Sequence, residues 1–209
     1  MRTIAQRDNI RDLILDGVDA LLARFGFKKM TMADLAREVG IGKGTIYLHF
    51  PGKEELVLAH VDRIAERLLL RLRQIAAGPG SPQERLRRML LVRVLFRFDS
   101  VTHYSQNLDD LLSSVRIPLL ARRGAHFEKE AAVLAEVLRD GCAQGVFNSA
   151  GVQMSARALV GCTNSFLPFS LSARELGERD ELEKRLIGIV DLLLNGLLRR
   201  SSGPSKRRR

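Results

Sequence analysis

Apolar residues along the first part of the chain recur at three-and-four spacing: Ile10, Leu13, Ile14, Gly17/Val18, Leu21, Leu22 and Phe25. That is the period of one buried helix face, so the spacing predicts a helix from about Ile4 that Gly26 ends. Thr31 is a good N-cap for a short helix Met32 to Val39, and Gly40 is its stop. Gly40-Ile41-Gly42 then reads as a turn into a second short helix, Lys43 to about His49. Pro51-Gly52 breaks the chain, and Lys53-Glu54-Glu55-Leu56 restarts it as a helix reaching about Ile75, roughly 30 Å long at 1.5 Å per residue. Gly78-Pro79-Gly80-Ser81-Pro82 is the clearest boundary. Beyond it, amphipathic stretches run from Gln83 to about Phe98, near Leu108 to Val115, from Pro118 to Gly145, from Val152 to Phe166 and from Glu178 to Arg200. Strand signals are nearly absent, so the expected fold is all-α: an N-terminal three-helix unit followed by a larger helical domain.

Two short helices joined by a glycine turn, with one helix before and one after, make a helix-turn-helix arrangement. Its second short helix would enter the major groove of double-stranded DNA. Lys43 and Lys53 bracket that helix with positive charge, and Thr45, Tyr47 and His49 supply hydroxyl and imidazole groups. Gly44 leaves room for close backbone approach. Ile46 and Phe50, four apart, face the opposite way, into a core with Leu35, Val39 and Ile41. The run Gly40-Ile41-Gly42-Lys43-Gly44-Thr45 is not a phosphate loop, because Arg37 and Gly44 stand where GxxxxGK[ST] needs Gly and Ser/Thr.

Composition adds less than its totals suggest. The formal charge is +10, but residues 1–53 carry nine Lys/Arg against six Asp/Glu, residues 54–198 nineteen against eighteen, and residues 199–209 six against none. The excess is mostly a Gly/Pro/Ser-containing tail, read as disordered. No apolar run is long enough to cross a membrane and no leader-like segment opens the chain, which makes the cytoplasm the expected location. Cys142 and Cys162, twenty residues apart, match no metal or redox spacing and are expected to be reduced and buried. Without HExxH, GxSxG, a nucleotide loop or a His/Asp/Glu cluster, the sequence predicts no enzyme, metal or cofactor.

The segment from Thr31 to Leu56, Thr-Met-Ala-Asp-Leu-Ala-Arg-Glu-Val-Gly-Ile-Gly-Lys-Gly-Thr-Ile-Tyr-Leu-His-Phe-Pro-Gly-Lys-Glu-Glu-Leu, closely resembles the DNA-binding signature of the tetracycline-repressor (TetR/AcrR) family. The resemblance covers about Ile10 to Val61. It implies that Thr31 contacts a phosphate, that Lys43, Gly44, Thr45, Tyr47 and His49 lie on the recognition helix, and that Lys53 holds a phosphate at the start of the linker helix. Gly42 departs from the family, where Ser is frequent as N-cap. The resemblance further implies a DNA-binding domain over residues 1–52, a linker helix over 53–77, and a regulatory and dimerisation domain over 82–200, with the basic tail at 201–209. The function implied is a homodimeric repressor released from a palindromic operator by a small, apolar ligand. The alternative is a non-sensing or architectural DNA binder aided by the tail. Residues considered for the ligand pocket are Phe96, His103, Tyr104, Phe127, Asn164 and Phe166. Part of the stripe Leu182, Leu186, Ile189/Val190, Leu193/Leu194, Leu197/Leu198 and of the segment Val152–Phe166, with small Ala156, Gly161 and Ser165, is expected to form a dimer face, the remainder being intrachain core.

Overall fold

The computed structural model describes residues 4–149, 151–168 and 177–198. Among them the chain forms eight α-helices: α1 (Ile4–Lys29), α2 (Met32–Val39), α3 (Lys43–His49), α4 (Lys53–Ala77), α5 (Pro82–Val101), α6 (Leu108–Ala143), α7 (Val152–Thr163) and α8 (Arg179–Leu197). Two 3₁₀ turns, Thr102–Asn107 and Asn164–Phe166, follow α5 and α7. No strand occurs among the described residues; a single antiparallel bridge joins Phe147 and Leu198. The fold is all-α, as the periodicity predicts. The tail 201–209 lies outside the described residues.

α1, α2 and α3 close around Ile14, Val18, Leu21, Leu22, Leu35, Ile46 and Phe50, all buried. Gly17 is the contact point between α1 and α2: a Cβ there would lie 2.6 Å from Val39 Cγ2. Gly40 closes α2 in the left-handed region (φ 71°), which a glycine adopts without steric cost. α1 has a second buried line, because Leu15 is fully buried while Leu13 and Phe25, expected on the inner face, are substantially exposed. The reason is that α1 is covered on two sides, by α2 and by α4, α6 and the Thr102–Asn107 turn.

α4 belongs to both halves, packing on α1 and also on α5 and α6. α5 begins with a capping box, Ser81 Oγ accepting from the Glu84 N–H at 3.2 Å and the Ser81 N–H donating to Glu84 Oε2 at 2.8 Å. It then runs among α4, α6, α7 and α8. One expectation fails here. Pro118 does not start a new helix: Leu108–Ala143 is a single helix of 36 residues with Pro118 inside it. The hydrogen bond that proline removes would have gone to Ser114, and both residues are exposed, so water can take its place.

Candidate nucleic-acid interface

α3 is seven residues long, and its orientation is set by the two side chains it buries or ends on, Ile46 and Phe50. With that face inward, Lys43, Gly44, Tyr47 and Leu48 are exposed, and Thr45 and His49 are half-buried. Tyr47 is 45% exposed, with the Lys43 ammonium 5.8 Å from its ring centroid. A Cβ on Gly44 would meet no atom within 4 Å, so this glycine keeps the outer surface of α3 low and is not demanded by packing inside the protein. Gly42 provides no side-chain cap. Leu48 carries no functional signal in the sequence, yet it is 85% exposed on the outer face, the most solvent-facing apolar side chain of the helix.

Thr31 and Asp34 form a full capping box at the start of α2. The Asp34 N–H donates to Thr31 Oγ1 at 3.1 Å, the Thr31 N–H to Asp34 Oδ2 at 3.2 Å, and the Thr31 hydroxyl to the same Oδ2 at 2.6 Å. Hydrogen bonding from Thr31 holds the Asp34 carboxyl below its ordinary value. Thr31 remains exposed. Lys53 stands apart from the other residues named from the sequence. Its ammonium donates to the carbonyls of Phe27 (2.8 Å), Lys28 (3.3 Å) and Met30 (3.3 Å) and lies 4.5 Å from the Phe27 ring centroid. Lys53 thus ties the start of α4 to the end of α1 through three carbonyls left without helical partners.

The residues considered for a ligand pocket do not converge. Phe96 and His103 line a cavity of about 330 Å³ between α1, α4 and α5, together with Asp19, His60, Arg63 and Asp99. Phe127 lines a separate, much smaller space under α4. Tyr104 is buried, its hydroxyl 3.4 Å from His60 Nε2, and burial together with the Asp19 charge pushes its phenol pKa up. Asn164 accepts a hydrogen bond from Arg93 at 2.6 Å, and Phe166 packs half-buried on the core.

Two polar clusters escape motif reading. At the junction of the two halves, Asp19 Oδ1 lies 3.1 Å from His60 Nε2 and 3.4 Å from His103 Nε2. Beside it Arg63, almost fully buried, donates to Asp16 Oδ1 at 2.7 Å and to the Asp12 carbonyl at 3.1 Å. In the core of the second, larger helical half Arg93 and Arg97 share Glu130. The available signal is positional: His60 lies on the apolar side of α4, and Arg93 and Arg97 interrupt the stripe Leu86, Met89/Leu90, Val94, Phe98, Val101 at the same three-and-four spacing. Cys142 is half-buried and Cys162 is exposed on α7, both free; the expectation of burial fails for Cys162 because its part of α7 faces away from the chain's own core. For the same reason Ala156, fully buried, belongs to the internal core, while Gly161 and Ser165 are exposed. No helix among the described residues is long and apolar enough to cross a membrane.

Comparison with known proteins identifies the same segment. Residues 14–60 match the family model for bacterial regulatory proteins of the tetR family. The chain is 27% identical over 153 residues to the HTH-type transcriptional repressor KstR2 of Mycobacterium tuberculosis, spanning 70% of this chain and 73% of that protein. It is 28% identical over 134 residues to the nucleoid occlusion factor SlmA of Shewanella woodyi, spanning 63% of this chain and 67% of that protein. In fold it is similar to a TetR-family transcriptional regulator from Pectobacterium atrosepticum, with a TM-score of 0.75 at 21% identity over 95% of this chain and 99% of the other.

Proposed function

The chain belongs to the TetR family of bacterial transcriptional regulators, and on that premise we propose that it is a homodimeric repressor that reads a palindromic operator with α3 and releases it when a small apolar ligand binds. The observation that carries the reading is the division of α3: Ile46 is buried and Phe50 closes the helix inward, while Lys43, Gly44, Tyr47 and Leu48 form an outer face with no packing role. Thr45 and His49 flank that face. Lys43 supplies phosphate attraction, Tyr47 and His49 supply polar contacts, Leu48 offers an apolar surface to a thymine methyl, and Thr31 contacts a phosphate at the start of α2. Residues 1–52 are the DNA-binding head, 53–77 the linker helix and 82–200 the regulatory and dimerisation half.

A single seven-residue helix reads too few bases for a specific site, so two copies on a two-fold axis are required. Leu182, Leu186, Val190 and Leu194 of the predicted stripe are buried in the chain's own core, and the support for pairing is the small or apolar side chains left exposed beside them, Met154, Ala158, Gly161 and Cys162 on α7 and Gly188, Leu192 and Gly196 on α8. The test is a gel-shift series with the full-length protein on DNA from upstream of its own gene and on random duplex, across a range of salt concentration. Preference for the upstream DNA that survives competition with random duplex is the expected result, and equal affinity for both overturns the reading. Similarity to a nucleoid occlusion factor supports a second reading, an architectural DNA binder. Operator complexes that resist a broad panel of apolar ligands would favour it.

A further inference from the structure

α5 carries two arginines where its buried stripe calls for aliphatic side chains. Arg93 is 0% exposed, Arg97 3%, and the one carboxylate between them, Glu130, 1%. Each of the three Arg93 nitrogens donates one hydrogen bond: Nε to Glu130 Oε2 at 2.6 Å, Nη1 to Thr163 Oγ1 at 2.7 Å and Nη2 to Asn164 Oδ1 at 2.6 Å. Arg97 donates to the other Glu130 oxygen and to the Arg93 carbonyl. Two buried cations thus share a single anion. Burial lowers the Arg93 pKa to about 10, with the Arg97 charge acting in the same direction and Glu130 opposing it. A buried charge is tolerated when it is paired, and here one positive charge is left over.

Next to this cluster lies a narrow cavity between α4, α5 and α6, about 20 Å³ in volume, whose walls include Ile64, Leu119 and Phe127 together with Arg97, Arg123 and His126. No carboxylate lines it. The Arg123 guanidinium lies 5.5 Å from the Phe127 ring centroid and has no carboxylate partner among the described residues. The acids paired with its lining residues Arg97 and His126 are already engaged: Glu130 by the two arginines, and Asp62 by Arg122 at 2.8 Å and His126 at 2.8 Å. Arg122 is also held by Glu55 at 2.7 Å.

We propose that this cavity is the core of the effector site and that the effector is an apolar molecule bearing one carboxylate, its anionic end held by Arg97 and Arg123 and its body against Ile64, Leu119 and Phe127. The inference rests on the ligand-responsive reading above and specifies the chemistry that site selects. A basic lining over an apolar wall favours an anion with a hydrocarbon body over a neutral or cationic molecule of the same size. At its present volume the cavity holds little more than one water, so admitting such a molecule parts α4 from α6.

Isothermal titration of the full-length protein with decanoate, decanol and decylammonium tests the assignment. Decanoate should bind one per chain with a Kd at least tenfold below that of decanol, and decylammonium should not bind. Arg123→Gln should weaken decanoate at least fivefold and leave decanol unchanged. Arg97→Met should abolish the preference; if that variant does not fold, Arg123→Gln, outside the buried cluster, still decides. Equal or tighter binding of decanol, preference for decylammonium, no binding of any of the three, or an Arg123→Gln variant that binds decanoate normally would each overturn the proposal. Operator release is measured separately: selective decanoate binding that leaves the DNA complex intact overturns the effector reading while the anion site stands.

Discussion

The head and the regulatory half distribute charge in opposite ways. In the head, Arg11, Arg24, Lys28, Lys29, Arg37 and Lys43 are all exposed, Lys53 is half-buried, and the interior of α1–α3 is aliphatic and aromatic. In the regulatory half, Arg93, Arg97 and Glu130 lie inside the core on helices whose neighbouring buried positions are Leu, Val, Met and Phe. A surface that meets a phosphate backbone needs mobile cations in water, where they add long-range attraction at little cost to folding. A core that holds arginines bears a desolvation cost that only specific partners offset, and so fixes geometry around one point. The two halves should therefore answer charge removal differently: binding should change in the head, and stability in the regulatory half.

The strongest test of that contrast is Glu130→Ala. It leaves two guanidinium groups buried without a carboxylate, and loss of one partner from a buried ion pair costs about 3–5 kcal/mol. Urea unfolding of the variant should give a correspondingly lower midpoint, whereas Lys43→Gln in the head should stay within about 0.5 kcal/mol of the parent. If Glu130→Ala unfolds within about 1 kcal/mol of the parent, the buried cluster contributes no more than surface charge does and the contrast collapses.

Next in size is the reading face of α3. Tyr47→Ala and His49→Ala should each weaken operator binding by about 1–3 kcal/mol, the range for a lost base contact, while the unfolding midpoint and dimer remain as they were. Leu48→Ala should behave in the same way if that side chain meets DNA. Filter binding on operator and on random duplex separates the outcomes, since a lost base contact narrows the gap between the two sites. An unchanged operator affinity in any of these variants removes that residue from the interface.

Much of the head is legible in the sequence because its rules are local. Thr31, Gly40 and Pro51-Gly52 mark element ends through capping and φ preference alone, and the observed bounds of α2 and α3 follow them, whereas Gly26 (φ 68°) breaks the helical backbone inside α1, which runs on to Lys29. The outer face of α3 follows as well, since burying Ile46 and Phe50 on a 3.6-residue period forces Lys43, Tyr47 and Leu48 outward. The regulatory half resists the same reading for a tertiary reason. Arg93 is core only because Glu130, 37 residues away, and Thr163, 70 residues away, come to meet it. Pro118 misleads in the opposite sense, because a helix with an exposed flank tolerates a missing hydrogen bond. The pocket residues chosen by type, Phe96, Tyr104, Phe127 and Phe166, are distributed among two cavities and the core, since an aromatic side chain alone does not tell a cavity wall from its filling.

Lys53 sharpens the comparison because it is half-buried where Arg24, Lys28 and Arg37 form exposed ion pairs. Its three bonds to carbonyls at the end of α1 give it a structural share that Lys43 lacks. Lys53→Met keeps the stem over Phe27 and removes the ammonium, which should lower stability by about 1–2 kcal/mol, as for a cation at a helix C-terminus. Its effect on DNA is the informative readout. A phosphate contact would also reduce the slope of log affinity against log salt by about 1, uniformly across sequences. Lower stability with an unchanged slope assigns Lys53 to the joint between α1 and α4, and a reduced slope with unchanged stability assigns it to the DNA.

The smallest expected effect lies at the junction, where Asp19 of the head meets His60 and His103. Burial raises the Asp19 pKa, but the adjacent His60 imidazole and the charges of His103 and Arg63 more than offset it, and the carboxyl lies below its ordinary value of 3.8. A carboxyl whose folded pKa is depressed stabilises the fold above its unfolded value, and that share is lost as pH falls through the folded value. Asp19→Asn lacks this share. The difference in urea midpoint between parent and variant should therefore be present at about pH 5 and close as the pH is lowered through and below 3.8. Asp62, held down in the same direction by His126 and Arg122, titrates in both proteins and cancels from the difference. A gap that persists unchanged in acid would mean that Asp19 acts through its shape and neutral hydrogen bonding, and the junction would then resemble the apolar head interior more than the charged regulatory core.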